Sequence, residues 1–214
     1  MGSVSEQLLT LDLLADWLRR YAAIVDEHKT YLTELDSAIG DADHGANMAR
    51  GTAAVLTHVD DATTIDALLK KAGMTLVSTV GGTSGPLYGT LLMKMGMATG
   101  SVVELSAEDF GKALRAGLEG LVARGKTELG DKTMVDALAP ALDAYDAALA
   151  DGSDLHDAVA AAAQAAAAGR DATTPMVAKK GRASYLGERS AGHQDPGATS
   201  STYLFDALAD VIGA

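Results

Sequence analysis

Three aspartates, Asp36, Asp41 and Asp43, lie within eight residues of one another, where one predicted helix ends and the next begins. Their negative charges repel, so a fold that gathers them needs a compensating positive charge. Mg²⁺ fits this requirement because it prefers oxygen ligands and is usually held by one or two carboxylates together with waters and substrate phosphates. The spacing therefore indicates a divalent metal site.

Two other interpretations of these aspartates fit less well. A calcium-binding EF-hand loop beginning at Asp41 would need glycine and glutamate at its sixth and twelfth positions, where the chain has Ala46 and Thr52. Alternatively, Asp41 or Asp43 caps the following helix. That function would explain one aspartate but not three.

Residues 81–86, Gly-Gly-Thr-Ser-Gly-Pro, precede a predicted helix and contain Thr83 and Ser84. Free main-chain N–H groups and the helix dipole at such a start favour an anion. The spacing is not that of a P-loop, and a plain glycine-rich connection remains an equal alternative.

A second polar loop, 125–134, contains Gly125 and ends at Met134, whose side chain could pack against a flat ring. A simpler interpretation is a helix start capped by Asp131 or Thr133, and from this loop alone that interpretation is preferred.

The stretch 170–197 is the one long irregular segment, and such segments are usually functional or disordered. It holds five of the 17 Lys and Arg residues: Arg170, Lys179, Lys180, Arg182 and Arg189. Arg182 is the best phosphate candidate because guanidinium makes forked contacts to phosphate. The alternative is a solvated cationic lid. Asp195, Pro196 and Gly197 predict a turn that opens the last helix.

Composition narrows the class of protein. The 214 residues predict one domain. A net charge of −12 argues against binding nucleic acid or an anionic membrane, and no apolar run is long enough to span a bilayer. The absence of cysteine excludes disulfides and thiolate chemistry. The N-terminus lacks the pattern of a signal peptide, so a cytoplasmic location is expected.

Aromatic residues make up 4% of the chain, too few to favour sheets, and no segment predicts a confident strand. Apolar spacings of three and four predict helices. These are expected at 5–28, 29–39, 44–59, 64–80, from 86 onward, and at 106–125, 134–149, 154–169 and 198–212. Short polar connections then predict an all-α, single-domain antiparallel bundle over residues 1–214.

Some details of these helices are also expected. Ser3 and Glu6 could form a capping box at the first helix, and Trp17 should lie in the core. Met97 is expected to be core filler. Pro140 predicts either a kink or a later start in its helix.

The four loops together suggest one phosphate and metal site, which is nearly all that phosphoryl transfer requires. Their motifs occur in the order found in dihydroxyacetone kinases, and the chain resembles the nucleotide-binding L part of that family over nearly its whole length. The motifs are Asp36-x4-Asp41-x-Asp43-His44-Gly45-x-Asn47, residues 82–86, residues 130–134, residues 181–189 and residues 195–198.

This resemblance implies an eight-helix antiparallel barrel with nucleotide held by the loops at one rim. It implies that Asp36, Asp41 and Asp43 coordinate two Mg²⁺ ions. It also implies a set of ADP or ATP contacts: His44, Gly45, Ala46, Asn47, Thr83, Ser84, Gly125, Met134, Arg182, Asp195, Pro196 and Gly197.

The chain has no room for the larger domain on which this family binds its keto-sugar, so it is similar to the separate L subunit. The resemblance then implies a phosphoenolpyruvate-dependent system. Bound ADP is rephosphorylated in place by a phosphotransferase-system protein, and the γ-phosphoryl passes to dihydroxyacetone on a K subunit. Two alternatives remain open: a kinase subunit that exchanges ATP and serves another short keto-sugar such as erythrulose, and a nucleotide-sensing adaptor for a transcription regulator.

Overall fold

The computed structural model describes residues 7–213, within which the chain forms nine α-helices, two 3₁₀ helices and two very short strands. The α-helices are α1 (Leu11–Glu27), α2 (Lys29–Ile39), α3 (His44–Leu56), α4 (Ile65–Thr79), α5 (Ser84–Thr99), α6 (Ala107–Gly125), α7 (Val135–Ala150), α8 (Leu155–Ala172) and α9 (Pro196–Ile212). The 3₁₀ helices are Val59–Asp61 and Arg182–Ser190.

Eight of these helices form a closed ring in which α1 contacts α3, each helix from α3 contacts the next, and α9 returns to α1. Neighbours run antiparallel because most connections are short. The remaining helix, α2, packs on α3 and α9 at the end of the ring where α3 begins. The expected eight-helix antiparallel barrel is confirmed. None of the helices in the described part of the chain is both long and apolar enough to cross a membrane.

Large side chains from three helices fill the interior. Trp17 meets Phe110 edge-on, with ring centroids 6.0 Å apart, and Phe110 meets Tyr145 in the same way at 6.4 Å. The indole Nε1–H of Trp17 donates to the carbonyl of Leu204 at 2.7 Å, which satisfies its one polar group. Trp17 is therefore in the core, as expected.

Helices α4 and α5 pack with their backbones unusually close. A Cβ atom added at Gly73 would lie only 2.6 Å from the carbonyl oxygen of Gly89 and 2.9 Å from the amide nitrogen of Met93. Glycine at this crossing is therefore required by space, and the approach fixes how the end of α4 meets the start of α5.

The start of the first helix was predicted wrongly. Helix α1 begins at Leu11, and the Oγ1 of Thr10 caps it by accepting from the amide of Leu13 at 3.2 Å. The residues just before form β1 (Leu9–Thr10), which pairs antiparallel with β2 (Glu104–Leu105). Two-residue strands carry too little pattern to be recognised in sequence. The expected capping box of Ser3 and Glu6 lies outside the described residues.

Three further expectations need correction. Met97 is 64% exposed, so it is not core filler. A start of α7 after Pro140 is wrong, because the helix runs unbroken from Val135 through this proline. The carbonyl of Asp136, which loses its helical N–H partner to Pro140, instead faces the closely packed Gly169 of α8. The segment 170–197 is also less irregular than expected, since it contains the end of α8, a 3₁₀ helix and the start of α9.

Replacing Gly73 by Ala should lower the free energy of unfolding by about 2 kcal/mol, because the added methyl meets main-chain atoms that cannot move independently. Gly120→Ala is the matched control, since the three nearest atoms to its methyl are side-chain carbons of Lys94 and Thr90 and none belongs to the main chain. The lysine side chain can shift to relieve this contact, so that variant should lose at most about 1 kcal/mol, part of which helix propensity offsets. Urea unfolding followed by circular dichroism measures both, and equal stabilities for the two variants would contradict the close packing.

Candidate functional site

All four predicted loops lie at one end of the ring. Helices α3, α5, α7 and α9 begin at this end, because neighbours in the ring alternate in direction. Each start has main-chain N–H groups without helical partners and the positive end of a helix dipole. The connections that hold the motifs are 40–43, 80–83, 126–134 and 173–195. The fold therefore makes this end suited to anions.

The three aspartates come together here. Asp36, Asp41 and Asp43 each place a carboxylate oxygen within 4.8 Å of the others. Asp36 is buried and the other two are exposed, so the cluster opens towards solvent. Three oxygen ligands with an open side suit Mg²⁺, which keeps waters and phosphate oxygens in its shell.

Asp36 also builds the turn that carries the other two aspartates. Its Oδ2 accepts from the amides of Asp43 at 2.8 Å and His44 at 3.1 Å, so a side chain on α2 fixes the start of α3. Asp43, by contrast, makes no side-chain capping bond. Helix capping by Asp43 therefore does not account for its position.

His44 links three helix starts. Its Nε2 lies 2.8 Å from Ser200 Oγ on α9, and its Nδ1 lies 3.2 Å from Ser84 Oγ on α5. The hydroxyl of Tyr88 bonds Ser200 Oγ at 2.7 Å and Ser201 Oγ at 2.9 Å. Burial lowers the pKa of His44, although the nearby carboxylates of Asp36 and Asp43 oppose this effect.

Asn47 is held by Arg50, a residue that the sequence did not single out. The Nη2 of Arg50 donates to Asn47 Oδ1 at 2.7 Å, and its Nε donates to the carbonyl of Thr79 at the end of α4 at 3.1 Å. The side-chain nitrogen Nδ2 of Asn47 faces Gly81. The only sequence signal was the three-residue spacing on α3, which any helix shares.

The other predicted residues of these two motifs differ in exposure. Ala46 and Thr83 are exposed beside the aspartates and the start of α5, and Ser84 is half-buried. Gly45 is buried, and its Cα packs directly against the main-chain carbonyl of Lys29 on α2. The structure therefore gives Gly45 a packing function, and any contact to a ligand would come from its main chain.

The loop before α7 is organised by carboxylates. Asp136 accepts from the amides of Gly130 at 2.6 Å and Thr133 at 2.7 Å, and its importance was missed in the sequence. Asp131 accepts from the amide of Glu128 at 2.9 Å, within its own loop, so it does not cap α7. Thr133 Oγ1 does accept from the amide of Val135, at 3.2 Å.

Three further predicted contacts, two from this loop and one from α9, are buried or half-buried. Met134 is buried and neighbours Gly197, while Gly125 is half-buried at the end of α6. Pro196 is the first residue of α9 and is also buried. Met134 therefore lies against the start of α9, where two buried apolar residues come together.

Asp195 caps α9, as the predicted turn required. Its Oδ2 accepts from the amide of Ala198 at 2.7 Å. Burial raises the pKa of Asp195 to about 7; the nearby Asp136 adds to this rise, whereas the Ala198 amide and Lys132 oppose it.

The segment 173–195, here called the lid, reaches the aspartates through one ion pair. Arg182 Nε lies 2.9 Å from Asp41 Oδ2, with 67% and 36% of the two side chains exposed. Lys179, Lys180 and Arg189 are exposed elsewhere on the lid. Arg182 is thus positioned at the open side of the aspartate cluster.

The raised pKa of Asp195 predicts a pH effect on stability. Between about pH 4 and 7 the native protein keeps a proton that the unfolded chain has released, so the free energy of unfolding falls as pH rises through this window. Asp195→Asn keeps the cap but carries no charge, and it should lose this part of the pH dependence.

Urea unfolding of the nucleotide-free protein at pH 5 and pH 8 measures the effect. Asp154→Asn, a substitution at the exposed cap of α8, is the control and should follow the unmodified protein. An Asp195→Asn variant with the unmodified pH dependence would show that Asp195 is ionised throughout the range.

The chain is similar to known proteins over most of its length. A family model described as the DAK2 domain matches residues 38–210. The chain is 43% identical over 198 residues to the "PEP-dependent dihydroxyacetone kinase, ADP-binding subunit DhaL" of Escherichia coli (strain K12), covering 92% of this chain and 94% of the relative. It is 47% identical over 195 residues to the "PEP-dependent dihydroxyacetone kinase 1, ADP-binding subunit DhaL" of Listeria innocua, covering 90% of this chain and 92% of the relative.

Longer proteins match over part of their length. The "L-erythrulose 1-kinase" of Mycolicibacterium smegmatis is 34% identical over 90% of this chain, which spans 34% of that protein. The solved dihydroxyacetone kinase from C. freundii in complex with AMP-PNP and Mg²⁺ superposes with a TM-score of 0.71 at 28% identity, covering 98% of this chain and 36% of that one. The chain therefore belongs to the DAK2 domain family and, within it, to the ADP-binding subunits of dihydroxyacetone kinase.

Proposed function

We propose that this chain binds Mg-ADP and Mg-ATP at the lid end of the ring and passes the γ-phosphoryl group to dihydroxyacetone held by a separate K subunit. The observation that carries the proposal is the meeting of three carboxylates, four helix starts and Arg182 at one end of the fold. The full-length match to proteins named ADP-binding subunits supports the same conclusion.

Asp36, Asp41 and Asp43 are the residues that would hold magnesium, as two ions. When bound, the metal would neutralise charge on the nucleotide phosphates. Burial of Asp36 and its two main-chain hydrogen bonds fix one carboxylate. The two exposed aspartates can then adjust to the ligands that the nucleotide brings.

The nucleotide lies across the helix starts in this proposal. The first turns of α3 and α5 offer His44, Gly45, Ala46, Asn47, Thr83 and Ser84 to the phosphates, largely through main-chain N–H groups. Gly125, Met134, Asp195, Pro196 and Gly197 contact the rest of the nucleotide, with the side chain of Met134 packed against the flat adenine ring. Arg182 is close enough to the aspartates to neutralise charge on the transferred phosphoryl group.

The acceptor and the donor are proposed to be on other chains. The chain spans nearly all of the separate subunits it matches but about a third of the solved kinase. We therefore assign dihydroxyacetone to a K subunit and the rephosphorylation of bound ADP to a phosphotransferase-system protein. The names of two relatives, "PEP-dependent" and "PTS-dependent", support the second assignment. A second candidate, an ATP-exchanging subunit for erythrulose, is favoured by the similarity to the L-erythrulose kinases.

Asp41→Asn should weaken binding of ADP in the presence of Mg²⁺ by about 100-fold, or roughly 2.8 kcal/mol, because a metal ligand is lost. Isothermal titration calorimetry measures the change. Asp157→Asn is the control, since Asp157 belongs to an exposed cluster with Asp154 and His156. In EDTA the Asp41→Asn and unmodified proteins should bind ADP equally weakly. A loss that persists in EDTA would show that Asp41 acts on the nucleotide and not through a metal.

The fate of the nucleotide distinguishes the two candidates. Freshly purified and desalted protein should release about one ADP per chain on denaturation if the nucleotide is a retained cofactor. Phosphoryl transfer to dihydroxyacetone should then require a K subunit and a phosphorylated donor protein, with no dependence on added ATP. Saturable dependence on free ATP, with no retained ADP, would replace this conclusion by the exchange mechanism.

A further inference from the structure

Lys132 is a buried lysine in the loop before α7, with 1% of its surface exposed. Its Nζ donates to the main-chain carbonyl of Met176 at 3.0 Å and to that of Ser190 at 2.5 Å. Met176 precedes the lid's 3₁₀ helix and Ser190 ends it. One ammonium group on a neighbouring loop therefore joins the two sides of the lid at its base.

The surrounding hydrogen bonds make this base a connected unit. Ser190 Oγ accepts from the amide of Ala178 at 2.8 Å and donates to the carbonyl of Gly187 at 2.6 Å. The amide of Lys179 donates to the carbonyl of Asp131, the residue before Lys132, at 3.1 Å. The part of the lid that carries Arg182 is the 3₁₀ helix between these tied ends.

This arrangement has two energetic costs. Burial disfavours the charged ammonium and lowers the pKa of Lys132, with partial compensation from Asp195. The backbone of Lys132 also has φ 63°, in the left-handed region that a side chain with a Cβ adopts at some cost. Such strain persists where the surroundings demand it, often at ligand clamps. Here the two hydrogen bonds from the ammonium to the carbonyls of Met176 and Ser190 hold Lys132 in this conformation.

We propose that Lys132 is a positioning residue that anchors the lid, so that its bonds to Met176 and Ser190 determine how fast the lid opens and the bound nucleotide leaves. The claim about nucleotide release rests on the proposed function, whereas the claim that Lys132 anchors the lid does not. Lys132 is not a phosphate ligand in this proposal, because its ammonium is buried and already bonded to main chain.

Hydrogen exchange of the nucleotide-free protein tests the anchoring by itself. In Lys132→Met, the amides of Ala178, Lys179 and Gly192 should exchange at least about tenfold faster, because opening of the lid base costs less. Lys132→Gly also removes the ammonium but suits the positive φ, so it should give the same result even if the methionine variant is poorly folded. Lys126→Met is the control, because Lys126 is exposed in the same loop and also has a positive φ, 48°.

Stopped-flow release of a fluorescent ADP analogue in Mg²⁺ tests the link to nucleotide. The two Lys132 variants should release it about tenfold faster than the unmodified protein and the Lys126→Met control. Amides in the middle of α4 and α5, away from the lid end of the ring, should keep unmodified exchange rates. A merely structural function for Lys132 would instead speed exchange in all helices together.

Three outcomes would overturn the proposal: unchanged lid exchange, faster exchange spread equally over α4 and α5, or faster lid exchange with an unchanged release rate. Failure of the unmodified protein to bind Mg-ADP would overturn the proposed function and, with it, the claim on nucleotide release. The hydrogen-exchange result would still decide whether Lys132 anchors the lid.

Discussion

The site depends on one electrostatic constraint. The positive ends of four helix dipoles and several negative carboxylates lie together at one end of the ring. A closed ring of eight antiparallel helices has four helix starts at each end, and at the lid end these starts carry unpaired N–H groups. Asp36 satisfies two main-chain amides at the start of α3, and Asp195 does the same for one at the start of α9. The remaining donors and the open carboxylates then define where an anion and a cation can bind together.

Buried polar groups hold this end rigid while the middle of the ring is packed with apolar side chains. Tyr88, Ser200 and His44 connect α5, α9 and α3 through hydrogen bonds of 2.7 and 2.8 Å. A network of this kind is costly when partly satisfied and rigid when complete. The site is therefore built on the starts of helices that this network joins, and the lid adds the segment that carries Arg182.

The lid and the aspartates are linked by charge. Arg182 pairs with Asp41 above the cluster, while Lys132 is held below against the lid carbonyls, near Asp195. One cation is exposed and can exchange its partner at little cost, whereas the other is buried and cannot do so without opening the base. This difference separates a group suited to meeting a ligand from one suited to holding the segment in place.

The sequence by itself determined the helical class, the order of the motifs and the cluster of three aspartates, because helical periodicity and unusual local composition are properties of short segments. It also determined the family, since several motifs in one order are far more specific than any single loop. It did not give the two-residue strands or the exposure of Met97, which depend on what packs alongside. Only the tertiary structure decided that Arg50 holds Asn47, that Asp136 organises the loop before α7 and that Lys132 joins the two sides of the lid. Each of these contacts joins segments separated along the chain or depends on the path of a loop. A lysine, arginine or aspartate has the same sequence signal whether it faces solvent or is bonded to a neighbouring segment.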